Sequence, residues 1–147
     1  MSWKQLLADG SILPQKASKT ELDRLRGAIE RNLRDAALPD LSADNKFGMA
    51  YEAALLTAKV AVAVAGYRVR GQAAHATMFI ALGLAMGPAV GQRVDYFDRC
   101  RRKRNALSYE YAGAATDAEA AEILEVAKRF RIEVEDWLAS RRPDLAA

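Results

Sequence analysis

Cysteine and histidine occur once each in this chain, as Cys100 and His75. A single cysteine rules out an internal disulfide and a cysteine-built zinc site, and a single histidine rules out a site made of several imidazoles. A lone thiol fits a reducing, cytoplasmic setting. Valine and isoleucine are few and do not alternate with polar residues, so no sheet is expected. A phosphate-binding glycine loop is missing, because Gly83, Gly87 and Gly91 follow no strand and precede no Lys-Ser/Thr pair. There is no serine–histidine pair with local support, no paired-carboxylate motif, no internal repeat and no low-complexity linker. The opening MSWKQLLADG is too short and polar to read as a signal peptide. Neither a metal nor a cofactor is expected.

What remains is rich in helix formers. Ala, Leu and Arg dominate, and hydrophobic residues make up 51% of the 147 positions, enough for one domain with one core. The expectation is an all-α, up-and-down bundle of four to five helices spanning 18–142, with an N-terminal arm at 1–17 and a frayed tail at 143–147. Helices are expected over about 19–38, with Ser18 and Glu21 as a capping box; over 43–67, capped by Ser42 or Asp44; over 72–87, ended by Gly87-Pro88; over 89–109; and over 117–140, with Thr116 and Glu119 as a second capping box. The arm, with Trp3, Leu6 and Leu7 on one side, reads as a packing element or a clasp on a second subunit. No residue between Gln72 and Gln92 carries a formal charge, which raises a membrane span for consideration. The stretch is rich in Ala and Gly and contains His75 and Pro88, so a central helix of a bundle in water is the better reading, with Gly83 and Gly87 permitting a close crossing.

Net charge is +3, but the distribution says more than the total. Arg99 to Arg104 holds five basic residues in six positions, interrupted by Cys100, while 117–136 is rich in acid. Such asymmetry suits a phosphate-binding surface and equally suits charge pairing between helices. On a helical wheel Tyr96, Cys100, Leu107 and Tyr111 form a core stripe. Arg93 and Arg104 fall within or beside it, Arg99 and Arg102 point to solvent, and Arg101, Asn105 and Ser108 lie on a flank with Tyr109 near. An arginine at the edge of an apolar stripe needs an acceptor. For Arg104 that is either a carboxylate of Asp98, Glu110 or Glu52, or a phosphate gripped by the guanidinium fork. Cys100 reads as a buried, inert thiol. His75 heads an apolar helix and is the one side chain that naturally titrates near neutrality.

The run Arg104-Asn105-Ala106-Leu107-Ser108-Tyr109-Glu110-Tyr111 resembles the signature of HEPN domains, in which an arginine and a polar residue are followed a few positions later by histidine. A second segment is similar to the early helices of small bacterial HEPN proteins: Asp44-Asn45-Lys46-Phe47 through Ala50–Ala54, then Ala65-Gly66-Tyr67-Arg68, Gly71 and His75. The resemblance covers about 42–111. It implies a helical bundle forming a two-fold dimer that cleaves RNA without metal, binds RNA or nucleotide without catalysis, or partners a small nucleotidyltransferase in a toxin–antitoxin pair. Arg104 matches the motif arginine and Asn105 the polar residue, whereas the histidine position holds Tyr109. Because tyrosine titrates near pH 10, a proton shuttle at neutral pH is lost there unless His75 supplies the imidazole.

Three functions follow as expectations. The preferred one is a non-catalytic binding module in which Arg101, Arg104, Asn105 and Tyr109 surround a cleft for RNA or nucleotide. The second is a metal-independent ribonuclease using Arg104, Tyr109 and His75. The third is a helical dimerisation or interaction subunit whose basic helix, Arg99 to Tyr109, meets an acidic protein.

Overall fold

The computed structural model describes residues 1–109 and 113–147, and for 107–109 the backbone alone. Six α-helices run through them: α1 (Trp3–Ala8), α2 (Lys19–Ala36), α3 (Ala43–Val64), α4 (Ala74–Met86), α5 (Gly91–Tyr109) and α6 (Asp117–Arg141). The fold is an all-α bundle organised around α3, which packs against α2 and α6 and, elsewhere along its surface, against α4 and α5. That placement explains its composition. α3 is buried on nearly every side from Phe47 to Val64, so its apolar residues surround the axis instead of forming a single stripe. By length and composition it is the one helix among the described residues that passes for a membrane span, and 72% of its most apolar window is buried inside the protein.

The uncharged stretch 72–92 is not one helix. α4 ends at Met86, Gly87 takes φ +82°, Pro88–Val90 form a 3₁₀ turn, and α5 begins at Gly91. At 13 residues α4 is about 20 Å long, short of the roughly 30 Å a bilayer core requires. Gly83 faces Val94 of α5, where an added Cβ would sit 3.7 Å from Cγ2, an ordinary contact. The close crossing expected of Gly83 is therefore not enforced by sterics, whereas Gly87 is required by its positive φ.

The caps match the sequence at three helices. Ser18 accepts from Glu21 N, Ser42 from Asn45 N, and Thr116 with Glu119 forms the reciprocal box. The Ser18 box is half-formed, because the Glu21 carboxylate accepts instead from Gln15 Nε2 at 2.9 Å. Asp44, the alternative cap for α3, reaches away from its own helix, and its carboxylate accepts from Gly113 N at 2.6 Å and Ala115 N at 3.1 Å.

Three expectations fail. A small sheet exists: β1 (Ile12–Pro14) pairs antiparallel with β2 (Tyr67–Val69), Ile12 opposite Val69 and Pro14 opposite Tyr67. Three-residue strands are too short to show an alternating pattern, and their pairing joins segments far apart in sequence. The ribbon also shortens the second long helix, which stops at Val64 and not at Tyr67, with Gly66 at φ +99° turning the chain. It fastens the arm to its own chain, with Trp3 stacked on Tyr67 (centroids 4.3 Å apart) and Arg70 Nε donating to Gly10 O at 2.9 Å. Nor is the tail frayed. Leu145 is buried, and Arg26, already bidentate on Glu135 of α6, donates to the Leu145 carbonyl at 2.7 Å.

Candidate functional site

The basic run on α5 divides according to what each cation meets. Arg93 holds Glu133 through two bonds of 2.9 and 3.0 Å, and Lys103 holds Glu119 at 3.0 Å. Rising numbers on α5 meet falling numbers on α6, so these helices run in opposite directions and their charges pair between helices. Asp98 takes both Arg101 and Arg102, each at 2.9 Å. It is therefore not the partner of Arg104, and Glu52 does not pair with Arg104 either. Among the described residues Arg104 forms no ion pair. Arg99 and Arg102 are exposed as the wheel predicts, with Arg99 5.8 Å above the Tyr96 ring.

The core stripe of α5 differs from the expected one. Phe97, left out of it, is fully buried at 0% exposure, and Tyr96 is displaced to the edge. Arg104 lies seven residues beyond Phe97, two turns on and within about 20° of it around the axis. Its side chain thus continues the buried line and emerges where that line reaches solvent. The expectations for Leu107, Ser108, Glu110 and Tyr111, and for the Tyr109 side chain, lie outside the described residues.

The turn at 87–90 folds α4 back along α5, so that Gly83 sits by Val94 while His75, at the start of α4, comes beside Arg101 and Arg104. His75, Gln72 and Ala76 on one side and Arg101, Arg104 and Asn105 on the other line an open cleft of about 350 Å³. α4 has Ala73 at its N-cap position and so no side-chain cap, and its first-turn N–H groups have no side-chain acceptor of that kind. Arg104 also lines a second cleft, of about 360 Å³, with Asn32, Asn45, Met49 and Glu52. Three of the four residues predicted for phosphate binding, and the sole histidine, therefore line one surface feature.

Behind His75 stands a residue that is not among the site candidates read from the sequence. Tyr51 of α3 is fully buried, and its hydroxyl lies 3.3 Å from His75 Nδ1. Burial lowers the imidazole pKa, the positive field of Arg104 lowers it further, Glu52 opposes this, and Arg101 adds to the lowering. Burial also holds the Tyr51 phenol well above the usual tyrosine range. No local signal couples Tyr51 to His75, since they are 24 residues apart on different helices.

A further cleft of about 270 Å³ between α5 and α6 exposes the edge of Cys100 beside Tyr96, Lys103 and Glu119. Burial pushes that thiol up to about 11, and Lys103 is already paired, so the cleft offers no ready nucleophile. Among the described residues no three His, Cys, Asp or Glu side chains gather to hold a metal ion.

No protein-family model, curated protein or solved structure matches this chain. Function is therefore inferred from the chemistry of the site itself.

Proposed function

We propose that this chain is a divergent HEPN-type helical module that binds phosphate groups of RNA or a nucleotide in the cleft between α4 and α5, without cleaving RNA. The observation that carries this reading is the convergence of Arg101, Arg104, Asn105 and His75 on one open cleft. Guanidinium groups match phosphate oxygens in a planar fork, and Asn105 adds an amide. The ion pairs single out Arg104 within this cleft, because Arg93 and Lys103 are held by α6 and Asp98 takes both Arg101 and Arg102, whereas Arg104 forms no ion pair among the described residues. The HEPN resemblance would also make the protein a two-fold dimer, which light scattering of the purified chain would read.

Fluorescence polarisation with a labelled single-stranded RNA, in EDTA and across a salt series, tests the proposal. Binding is expected to weaken as salt rises, because neutralising phosphates releases counterions. Arg104→Ala should weaken binding and lower the salt slope by about 1, whereas Arg93→Ala should leave the slope as it was. No binding at low salt, or an Arg104→Ala variant equal to wild type, would overturn the reading. Should RNA fail to bind, the acidic-partner reading, with a nucleotidyltransferase-like protein on the same basic helix, takes precedence.

One observation favours a second reading. His75 lines the same cleft as Arg104, the arginine that matches the HEPN signature, and so supplies an imidazole beside it. RNA cleavage in EDTA that is lost in Arg104→Ala, His75→Gln and Tyr109→Phe would make the protein a metal-independent ribonuclease.

A further inference from the structure

A neutral imidazole carries one proton on one of two nitrogens, and its effect on a ligand depends on which. If Nε2 carries the proton, the ring offers the cleft a donor. If Nδ1 carries it, the ring offers the cleft a lone pair, and so a base. We propose that Tyr51 is a positioning residue: its buried hydroxyl donates to Nδ1 of His75, fixes the imidazole as the Nε2–H tautomer, and so makes His75 a donor to phosphoryl oxygen and not a proton acceptor. The part concerning phosphate rests on the binding reading above, whereas the tautomer stands on the geometry alone.

Tyr51 has no exposed surface, and its hydroxyl has His75 Nδ1, 3.3 Å away, as its hydrogen-bond partner among the described residues. A buried O–H needs an acceptor. With a proton on Nδ1 the hydroxyl would accept that bond and its own hydrogen would have none. With Nδ1 bare, the hydroxyl donates and both groups are satisfied.

The surrounding charges favour the neutral ring that this requires. Arg101 and Arg104 face His75 from α5, Glu52 and Tyr51 face it from α3, and α4 contributes no other titratable group. Burial and the two guanidiniums hold the imidazole neutral against the opposing pull of Glu52. The phenol, held high by burial, keeps its proton to donate.

The charged side chains and the imidazole therefore turn donors to the cleft, two guanidiniums (Arg101 shared with Asp98) and an Nε2–H, beside the amides of Gln72 and Asn105. Such a lining suits an ionised phosphate, whose oxygens only accept. It does not suit activation of a 2′-hydroxyl, which needs a base for the leaving proton, a role the amide oxygens of Gln72 and Asn105 do not fill. The same pair of residues thus separates binding from cleavage within one site.

A long-range ¹H–¹⁵N correlation spectrum of the uniformly ¹⁵N-labelled protein at pH 8 tests this directly, and with one histidine in the chain it contains one imidazole. The expected pattern has a protonated Nε2 and a bare Nδ1, and in Tyr51→Phe the two nitrogens move toward an average of both tautomers. A protonated Nδ1 in the wild type would overturn the proposal, even if RNA binds. An Nε2–H pattern unchanged in Tyr51→Phe would also overturn it, because Tyr51 would then not be what fixes the ring. Binding of the labelled RNA provides the second readout: Tyr51→Phe is expected to weaken it by about tenfold, the scale of one charge-assisted hydrogen bond. If the tautomer behaves as expected while RNA does not bind at all, the positioning role of Tyr51 stands and the phosphate reading falls.

Discussion

At the scale of single residues, the surroundings of His75 make its titration informative. Arg104 stands on the next helix and disfavours the imidazolium. Arg104→Ala is therefore expected to raise the His75 pKa in an NMR titration, whereas Arg93→Ala, whose guanidinium is bound to Glu133, should leave it in place. The lowered value also has a sign for stability. As pH falls, the unfolded chain takes up the imidazole proton before the folded one does. The contribution of His75 is thus complete above its ordinary pKa of about 6.5 and is lost as pH drops from there through the lowered folded value. Urea denaturation at pH 7.5 and 5.0 should show wild type losing more stability on acidification than His75→Gln does. Equal losses would mean that the ring titrates as in the unfolded chain. At this scale the place of Arg104 beside the buried line of α5 was legible in the sequence, because a cation at the edge of an apolar stripe announces itself. Tyr51 was not, because a buried aromatic on a core helix looks the same whether or not its hydroxyl faces a histidine.

Among the elements, α5 shows how one misjudged residue rotates a face. Tyr51, Phe79, Phe97 and Phe130 form an aromatic chain from α3 through α4 and α5 to α6, with successive centroids 6.2, 6.1 and 5.1 Å apart. Phe97 is central to it and fully buried. Phe97→Ala is expected to cost about 3–5 kcal/mol, lost apolar burial plus a cavity, in a denaturant melt. Tyr96, which the wheel placed in the core beside Cys100, is at the edge, and Tyr96→Ala should cost clearly less. The wheel misplaced the stripe because a helix with arginines among its apolar positions has no clean moment from which to locate the buried side. The caps were read more faithfully, since Ser18, Ser42 and Thr116 act within three residues of themselves.

For the molecule as a whole, a few long-range tethers decide how the helices are held. Asp44 at the first turn of α3 grips the backbone of Gly113 and Ala115 just ahead of α6. Arg26 joins α2 to α6 and to the C-terminal turn at Leu145, and β1 pins the arm against β2. Asp44→Ala removes the acceptor of two backbone donors and is expected to lower stability by about 1–3 kcal/mol in urea. Asp44→Asn, which keeps an acceptor oxygen, should recover part of that loss. The amino-acid sequence by itself determined that the chain is helical, where most helices begin, and that α5 carries an unusual concentration of cations. Those properties arise from spacing and from neighbours within a turn or two, so periodicity and capping residues report them. The tertiary structure alone decided which cations are held by α6 and which line the cleft. It alone placed His75 beside Arg104 and Tyr51, formed a ribbon from two three-residue strands, and docked the tail. Each of these depends on which surfaces meet across tens of residues, and pairing between distant segments leaves no local trace.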